Sequence, residues 1–182
     1  MEETEQQLLE AIRSGDKKAM RRLYDRYSGY AMAVALRYIP ERDDANDVLQ
    51  DSFVRILTSV GKFKHKGEGS LMAWVSRITT NCAIDWLKYH QRLQITDNIP
   101  DEIDENEEME IHGVPPDVLN RMIGRLPMGS RTVLNLFVFE QMSHKEISNL
   151  LGISEKASYS RLFHAKKLLR TMIIEYLNSQ RI

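Results

Sequence analysis

The feature that most constrains this chain is an acidic stretch, residues 95–117, which holds nine Asp or Glu and no Lys or Arg. A proline stands near its start and a Pro-Pro pair near its end. Such a composition buries too little apolar surface to offset the entropy that is lost when the segment is ordered. We therefore predict a flexible acidic linker, 95–117, between two small domains at residues 1–94 and 118–182.

The charge outside the linker has the opposite sign. The whole chain has a net charge of −1, but residues 1–94 sum to +2 and residues 118–182 to +6, against −9 in the linker. Both predicted domains are therefore basic, which is typical of proteins that contact nucleic acid.

Composition excludes several classes of protein and site. No apolar run of about 18 residues predicts a membrane span, and the N-terminus lacks the pattern of a secretory signal, so a cytoplasmic protein without membrane insertion is expected. The single cysteine, Cys82, excludes an internal disulfide, and the five histidines are too far apart to form a metal-binding pair. We expect neither a metal nor a cofactor.

Apolar residues recur every three or four positions through both predicted domains, which is the period of an amphipathic helix. No strand-like alternation of useful length is present, so the predicted fold class is all-α. In the first domain the predicted boundaries are a stop at Ser14-Gly15, a cap at Asp16, a stop at Pro40, a cap at Asp43-Asp44 and a start at Ser70.

The second domain contains a helix-turn-helix pattern. Asp117 is expected to cap its first helix. Ser143 and Glu146 are spaced as a capping box, which starts a short helix that ends at Gly152, where a left-handed backbone conformation costs glycine little. Ser154 then caps a new helix. A helix, a tight glycine turn and a second helix form a common DNA-binding motif, although plain three-helix bundles share this shape.

The second helix of this motif is predicted to face DNA. Side chains on its outward side could reach phosphates and base edges in a major groove. They are Lys156, Tyr159, Ser160, Arg161, His164 and Lys167.

An acidic row lies in the first domain, where Asp44, Asp47 and Asp51 are spaced i, i+3 and i+7 along one side of a predicted helix. Rows of this kind are usually solvated surface. Here the opposite side of the helix is committed to the core and Gln50 stands beside the row, so the row is also a candidate docking face for a partner.

Four segments in this order resemble the extracytoplasmic-function (ECF) sigma factors of the bacterial sigma-70 family. Together they span about residues 20–172. The segments are 44–57 (DANDVLQDSFVRIL), 67–74 (GEGSLMAW), 77–87 (RITTNCAIDWL) and 126–169, which includes HKEISNLLGISEKASYSRLFHAKKLL.

The resemblance implies an RNA polymerase sigma factor, which is not an enzyme, and it assigns roles to both domains. The first domain would bind core RNA polymerase and melt and read the −10 promoter element, and the second would read the −35 element. The residues implied to bind polymerase are Asp44, Asp47, Val48, Gln50, Asp51 and Phe53. Those implied at the −10 element are Lys62, Lys64, Lys66, Ser70, Trp74, Arg77, Asn81, Lys88 and Arg92. Those implied at the −35 element are Ser154, Lys156, Ala157, Ser158, Tyr159, Ser160, Arg161, His164 and Lys167.

The charge of these parts suits the implied chemistry. Residues 62–92 carry six basic and two acidic side chains, a local charge of +4, and melted DNA requires a basic groove with a pocket for an extruded base. Residues 63–69 match the loop that captures an unpaired base in the family, although Trp74 beside it is also compatible with a core position. The acidic linker is similar to the family connector that threads through polymerase channels. It is either a mimic of a polyanion or a solubilising tether.

This chain departs from the family pattern at one place. The predicted recognition helix starts Lys156-Ala157-Ser158-Tyr159 where the family often has Gly-Thr-Val-Lys, so a serine replaces an apolar core residue and a tyrosine replaces a basic one. We expect the fold to be unchanged and the −35 preference to differ.

The resemblance also implies the partners. We expect no additional domain after the last apolar stripe, and we therefore expect a separate anti-sigma factor to control the protein. The protein is expected to be a monomer when free, and to lie on the bacterial nucleoid when it is part of the holoenzyme.

Two other classes of protein remain as alternatives. An ordinary helix-turn-helix regulator would bind duplex DNA tightly without polymerase, but it would leave the loop and Trp-bearing helix of the first domain without a role. A protein-interaction adaptor would make the basic second domain incidental. An enzyme is disfavoured, because the sequence shows no nucleophilic triad, glycine-rich phosphate loop or paired-carboxylate motif.

Overall fold

The structure is a computed structural model of the chain that describes residues 3–90 and 113–180. All regular structure in these ranges is helical, which confirms the all-α prediction. The helices are α1 (Glu5–Arg13), α2 (Lys17–Tyr38), α3 (Arg42–Ser59), α4 (Ser70–Tyr89), α5 (Pro116–Gly124), α6 (Met128–Val138), α7 (His144–Leu151) and α8 (Glu155–Ser179), with a short 3₁₀ turn at Val60–Lys62. Among them, none is long and apolar enough to cross a membrane.

The chain divides into two compact units, Met1–Trp86 and Leu87–Ile182. Most of the predicted linker lies outside the described residues. Its flexibility therefore stays a prediction. Its last residues, from Gly113, lead directly into α5.

The first unit is a helical bundle in which α2 packs against α1 and α3. Each helix contributes a stripe of apolar residues three and four positions apart, as the sequence predicts. The core also takes in the start of α4. Its buried residues are Leu8, Leu9, Ile12, Ala19, Leu23, Tyr27, Ala31, Leu49, Phe53, Ile56, Val60, Leu71 and Val75.

Local signals place the first two helix boundaries where the sequence predicts them. α1 ends at Arg13 with Ser14 as its C-cap, and Gly15 adopts a φ of 85°. The Asp16 side chain then accepts a hydrogen bond from the Lys18 N–H at 2.9 Å. The prediction for α3 is wrong by two residues. Glu41 occupies the cap position, and Asp43 and Asp44 lie in the first turn, where negative charge stabilises the helix dipole.

The second unit is built around α8, on which α5, α6 and α7 pack. The predicted cap at Asp117 is wrong. Pro115 holds the cap position and Pro116 the first helical position, where the missing N–H of proline leaves no intrahelical hydrogen bond unmade. Asp117 instead pairs with Arg121 one turn later, at 2.9 Å.

Candidate nucleic-acid interface

The loop between the 3₁₀ turn and α4 is held at its first end by α1. The guanidinium of Arg13 donates hydrogen bonds to the carbonyl oxygens of Gly61 and Phe63, the first at 3.4 Å. Irregular backbone has few hydrogen-bond partners of its own, so contacts of this kind fix its path.

The second end of the loop is held by a buried carboxylate. Glu5 of α1 is 2% exposed, and its oxygens accept hydrogen bonds from the Leu71 N–H at 3.0 Å, the Met72 N–H at 3.3 Å and the Tyr27 hydroxyl at 3.0 Å. A carboxylate at the N-terminus of α4 satisfies amides that have no partner within the helix. His65 Nε2 lies 3.5 Å from the same carboxylate.

The hydrogen bonds outweigh burial in setting the ionisation of Glu5. Burial by itself raises the pKa of this carboxyl, but the donors from Leu71, Tyr27 and Met72, together with the charge of His65, leave its pKa below the ordinary value. Glu5 is therefore ionised at neutral pH. Burial of the Tyr27 hydroxyl and its hydrogen bond to Glu5 raise the pKa of that hydroxyl.

Two further contacts hold the middle of the loop in place. The Ser70 hydroxyl accepts a hydrogen bond from the Lys66 N–H at 3.1 Å, and Arg26 of α2 pairs with Glu68 at 3.6 Å. The side chains of Lys62, Lys64 and Lys66 are exposed. The backbone of the loop is thus tied to the bundle while its cationic side chains are left in solvent.

One face of α4 continues this cationic surface. Helical spacing places Ser70, Trp74, Arg77, Asn81 and Lys88 within one stripe, at i, i+4, i+7, i+11 and i+18. The polar members beyond the first turn are exposed, whereas Ser70 and Trp74 are half-buried. The structure therefore places Ser70, Trp74, Arg77 and Asn81 on one face of α4, which follows the loop that carries Lys62, Lys64 and Lys66. Lys88 lies at the far end of α4, where its Nζ donates a hydrogen bond to the Leu150 carbonyl oxygen at 2.7 Å. Arg92 lies outside the described residues.

The Trp74 ring packs against the loop rather than standing free. Its centroid lies 4.9 Å from that of Phe63, at an interplanar angle of 37°, and both rings lie on the edge of the core. Trp74 therefore supports the loop, and because the ring is half-buried, part of its surface is exposed.

The acidic row predicted on α3 is present at the surface of the first unit. Asp47, Gln50 and Asp51 are exposed, and Asp44 is half-buried. Like charges at i and i+4, such as Asp47 and Asp51, weaken a helix by a few tenths of a kcal/mol. The row is therefore not explained by helix stability.

Two of the predicted polymerase-binding residues do not belong to the exposed face. Val48 is 1% exposed and Phe53 is 3% exposed, and the Phe53 ring contacts Tyr24 with 4.6 Å between centroids. Their apolar side chains follow the inward period of α3. They hold the helix in place and offer no contact surface to a partner.

In the second unit the helix-turn-helix has the predicted caps. The Ser143 hydroxyl accepts a hydrogen bond from the Glu146 N–H, and the Glu146 carboxylate accepts one from the Ser143 N–H at 2.8 Å. Gly152 adopts a φ of 70°, in the left-handed region. The Ser154 hydroxyl then accepts a hydrogen bond from the Ala157 N–H at 3.0 Å and starts α8.

The exposed residues of α8 are fewer than the sequence suggests. Ser154, Lys156, Tyr159 and Lys167 are exposed, and Ala157 and His164 are half-buried. Helical spacing places Lys156 and Lys167 on one face, at i and i+11, with Tyr159 beside them. This face is the candidate duplex-reading surface.

Three residues predicted to meet DNA are buried instead. Ser158 is 0% exposed, Ser160 is 5% exposed and Arg161 is 6% exposed. Ser158 lies on the inward period of α8 with Leu162 and Ala165. The Arg161 guanidinium fills space next to Gly129 of α6, where an added Cβ would come within 1.9 Å of its Nη1. Ser160 is likewise buried and does not belong to the exposed face.

The sequence prediction missed two residues that hold the loop in place: Glu5 and Arg13. A signal for Glu5 was present, because Glu5, Leu8 and Ile12 share one face of α1 and a charged residue on an apolar face calls for a buried partner. Nothing in the sequence signals the Arg13 contacts, since their carbonyl acceptors lie about fifty residues away along the chain.

Comparison with known families gives this geometry its context. The family model for sigma-70 region 2 matches residues 23–93, and the model for sigma-70 region 4 matches residues 117–169, which together are more than half of the chain. The chain belongs to the sigma-70 family. The two regions correspond in order to the two cationic surfaces described above.

Individual relatives place this sigma factor within the family. It is 29% identical to the ECF RNA polymerase sigma-E factor of Haemophilus influenzae over 93% of this chain and 95% of that protein. It is 25% identical to the RNA polymerase sigma-H factor of Pseudomonas aeruginosa over 92% of this chain and 93% of that protein. Among solved structures, CnrH in complex with the cytosolic domain of CnrY is similar, with a TM-score of 0.47 and 28% identity over 92% of this chain and 96% of that one.

The chain is therefore an ECF-type sigma factor that directs promoter-specific initiation of transcription. Sigma factors recognise DNA and are not themselves enzymes, as the sequence predicted. The helix α1, which holds both ends of the loop, lies outside the residues matched by the region 2 model.

Proposed function

We propose that this sigma factor docks on core RNA polymerase through the exposed acidic face of α3, formed by Asp44, Asp47, Gln50 and Asp51. The cationic loop and the α4 stripe would then hold the melted −10 element, and the exposed face of α8 would read the −35 element as duplex DNA. In this scheme the first domain is residues 1–94 and the second is residues 118–182.

The observation that carries this proposal is the separation of charge within the first unit. An acidic row that includes Asp47 and Asp51 is exposed along α3, whereas the exposed side chains of the loop include Lys62, Lys64 and Lys66, with Arg77 following on α4. Single-stranded nucleic acid is held by a basic surface with aromatic rings nearby, and Lys62, Lys64 and Lys66 beside Phe63 and Trp74 have that composition.

The second unit has the complementary chemistry for a duplex. The helix α8 begins at an exposed N-terminal cap. It presents Lys156 and Tyr159 in its first turns, where side chains reach base edges, and Lys167 later, where side chains reach phosphates. This order supports base contacts by Lys156 and Tyr159 and a phosphate contact by Lys167.

The cellular location and the control of the protein follow from its proposed role in the polymerase holoenzyme. A protein that works only within the polymerase holoenzyme acts in the cytoplasm, on the bacterial nucleoid. Control by a separate anti-sigma factor, the monomeric state of the free protein and the entry of the acidic linker into polymerase channels stay predictions.

The proposal is tested by reversing the acidic face. In the variant Asp47→Lys with Asp51→Lys we expect the affinity for core polymerase to fall at least about a hundredfold and run-off transcription to be lost, since two attractive charges become repulsive. Both side chains are exposed, so the free energy of unfolding should change by less than about 0.5 kcal/mol.

The matched control is Glu10→Lys with Asp25→Lys, which makes the same change in net charge at exposed positions of α1 and α2. This control should keep most of the affinity for polymerase. Equal affinity for polymerase in the α3 variant and the control would show that the acidic row is only solvated surface. Tight, specific binding of a duplex by the wild-type protein without polymerase would favour the helix-turn-helix regulator instead.

A further inference from the structure

His144 connects three helices of the second unit, α6, α7 and α8. It is the first residue of α7 and is 7% exposed. Its ring stacks on Phe137 of α6 with 4.9 Å between centroids and an interplanar angle of 25°. On α8 it contacts the Tyr159 ring, with 3.7 Å between centroids and an angle of 33°.

The same ring explains why a serine is tolerated in the core of α8. Ser158 is 0% exposed, and a hydroxyl buried without a partner costs about 1–3 kcal/mol. Its Oγ shares a hydrogen bond with His144 Nδ1 at 2.8 Å. The serine that replaces the apolar residue of the family pattern is thus one half of a pair, and His144 is the other half.

The second departure from the family pattern adjoins the first. Tyr159, which replaces a basic residue, is 44% exposed, and His144 covers part of its ring. An exposed aromatic side chain that is free to rotate samples several rotamers, and contact with a fixed neighbour restricts them. His144 is itself fixed by Phe137 and Ser158, so it can transmit a defined orientation to Tyr159.

We propose that His144 is a positioning residue for promoter recognition: it holds Tyr159 of α8 in the orientation that reads the −35 element, without itself touching DNA. The inference rests on the proposed function, because it requires α8 to read the −35 element. It assigns part of the −35 preference to a residue of α7 that lies in the interior of the domain.

The charge state of His144 is compatible with this role. Burial lowers the pKa of the imidazole, the nearby Glu155 acts to raise it and Lys166 acts to lower it, with a net decrease. The ring is therefore neutral at neutral pH, and it stacks between Phe137 and Tyr159 without the cost of burying a charge.

The test measures the −35 preference of the full-length protein in holoenzyme, by selection from a promoter library in which the −10 element is also varied. His144→Ala should change the ratio between favoured and disfavoured −35 sequences by about threefold or more, and leave the −10 preference unchanged. In a Tyr159→Ala background, His144→Ala should cause no additional change in the −35 preference.

A second variant separates the stack from the hydrogen bond. His144→Phe keeps an aromatic ring against Tyr159 but removes the partner of Ser158, so it should lower stability while retaining most of the −35 preference. Adding Ser158→Val to His144→Phe should restore the stability. Ile147→Val is the matched control, because Ile147 is buried in the same helix, and it should lower stability without altering the preference.

The outcomes distinguish this inference from the function on which it rests. If Tyr159→Ala shifts the −35 preference but His144→Ala weakens all promoters equally, as Ile147→Val does, His144 is only a structural residue and the inference is overturned. If Tyr159→Ala itself leaves the −35 preference unchanged, the proposed placement of α8 on the DNA is wrong, and the inference falls with it.

Discussion

The two cationic surfaces of this protein are built in different ways. In the first unit the surface includes a loop of irregular backbone, and charged side chains from other elements hold this loop: Arg13 at one end, Glu5 at the other and Arg26 in the middle. In the second unit the surface is one face of α8, whose backbone is fixed by its own helical hydrogen bonds and by the cap at Ser154.

The difference arises because the backbone amides and carbonyls of a helix and of a loop find their hydrogen-bond partners in different places. A helix satisfies its own amides and carbonyls except at the ends, so the second unit needs only caps and a means of orienting side chains. A loop cannot do this, so the first unit uses distant ionic groups to satisfy the backbone. Single mutations in the anchors should therefore damage the loop surface more than single mutations damage the helix surface.

The largest expected effect comes from removing the carboxylate that anchors the loop. Glu5→Ala leaves the N–H groups of Leu71 and Met72 and the Tyr27 hydroxyl buried without their acceptor, so the free energy of unfolding should fall by about 3 kcal/mol. Equilibrium unfolding in urea measures this change in the free energy of unfolding. Glu10→Ala is the control, because Glu10 is exposed on the same helix and should cost less than about 0.5 kcal/mol.

The contribution of Glu5 also depends on pH in a defined direction. Because the folded state lowers the pKa of this carboxyl, the ionised form is stabilising, and the contribution is present above the ordinary value of 4.5 and lost as the pH falls below it. The stability gap between wild type and Glu5→Gln should thus narrow from pH 7 towards about pH 3. A constant gap would mean that Glu5 acts through packing rather than charge.

An intermediate effect is expected at glycines with positive φ. The loop has two, Gly67 with a φ of 115° and Gly69 with a φ of 85°, and the turn before α8 has one, Gly152 with a φ of 70°. An added Cβ would meet no atom within 4 Å at any of them, so alanine should cost only the backbone strain, about 1–2 kcal/mol each.

The glycine substitutions test the comparison between the two surfaces, because each should impair recognition of a different promoter element. Gly69→Ala should lower −10-dependent open-complex formation in run-off assays, and Gly152→Ala should lower −35-dependent activity. Gly124→Ala, at the end of α5 where no positive φ is needed, is the control and should leave both unchanged. Similar losses at both promoter elements from either variant would contradict the separation of the two surfaces.

The smallest expected effect distinguishes single-stranded from double-stranded contacts. Removing one phosphate contact lowers the slope of log affinity against log salt, by about 0.7 for a single strand and about 0.9 for duplex DNA. We expect Lys64→Ala to lower the slope only for promoter DNA whose −10 region is unpaired. Lys167→Ala should lower it with duplex DNA that carries the −35 element, about equally for all −35 sequences. The measurement is holoenzyme binding to each DNA at several salt concentrations. A lower salt slope for Lys64→Ala only with duplex DNA, or for Lys167→Ala only with unpaired DNA, would contradict the assignment.

Much of the fold follows from the sequence, because its signals are local. Apolar periodicity defines the helices, and the capping box at Ser143, the left-handed Gly152 and the cap at Ser154 define the helix-turn-helix. Each of these signals acts within about one helical turn, which is why no tertiary information is needed to read it. The errors at Asp43-Asp44 and Asp117 are small, since an acidic residue is favoured both at the cap and in the first turn.

The burial of several polar side chains was decided by tertiary structure. Arg161 is a polar residue that the sequence places outward, but the missing side chain of Gly129 on another helix makes room to bury it. Ser158 is buried because His144, fourteen positions earlier, supplies its hydrogen bond. Glu5 meets the N-terminus of α4 from more than sixty residues away. The sequence determined the helices and their caps because those depend on neighbours along the chain. Partners of buried polar groups depend on neighbours in space, and only the packed structure brings those together.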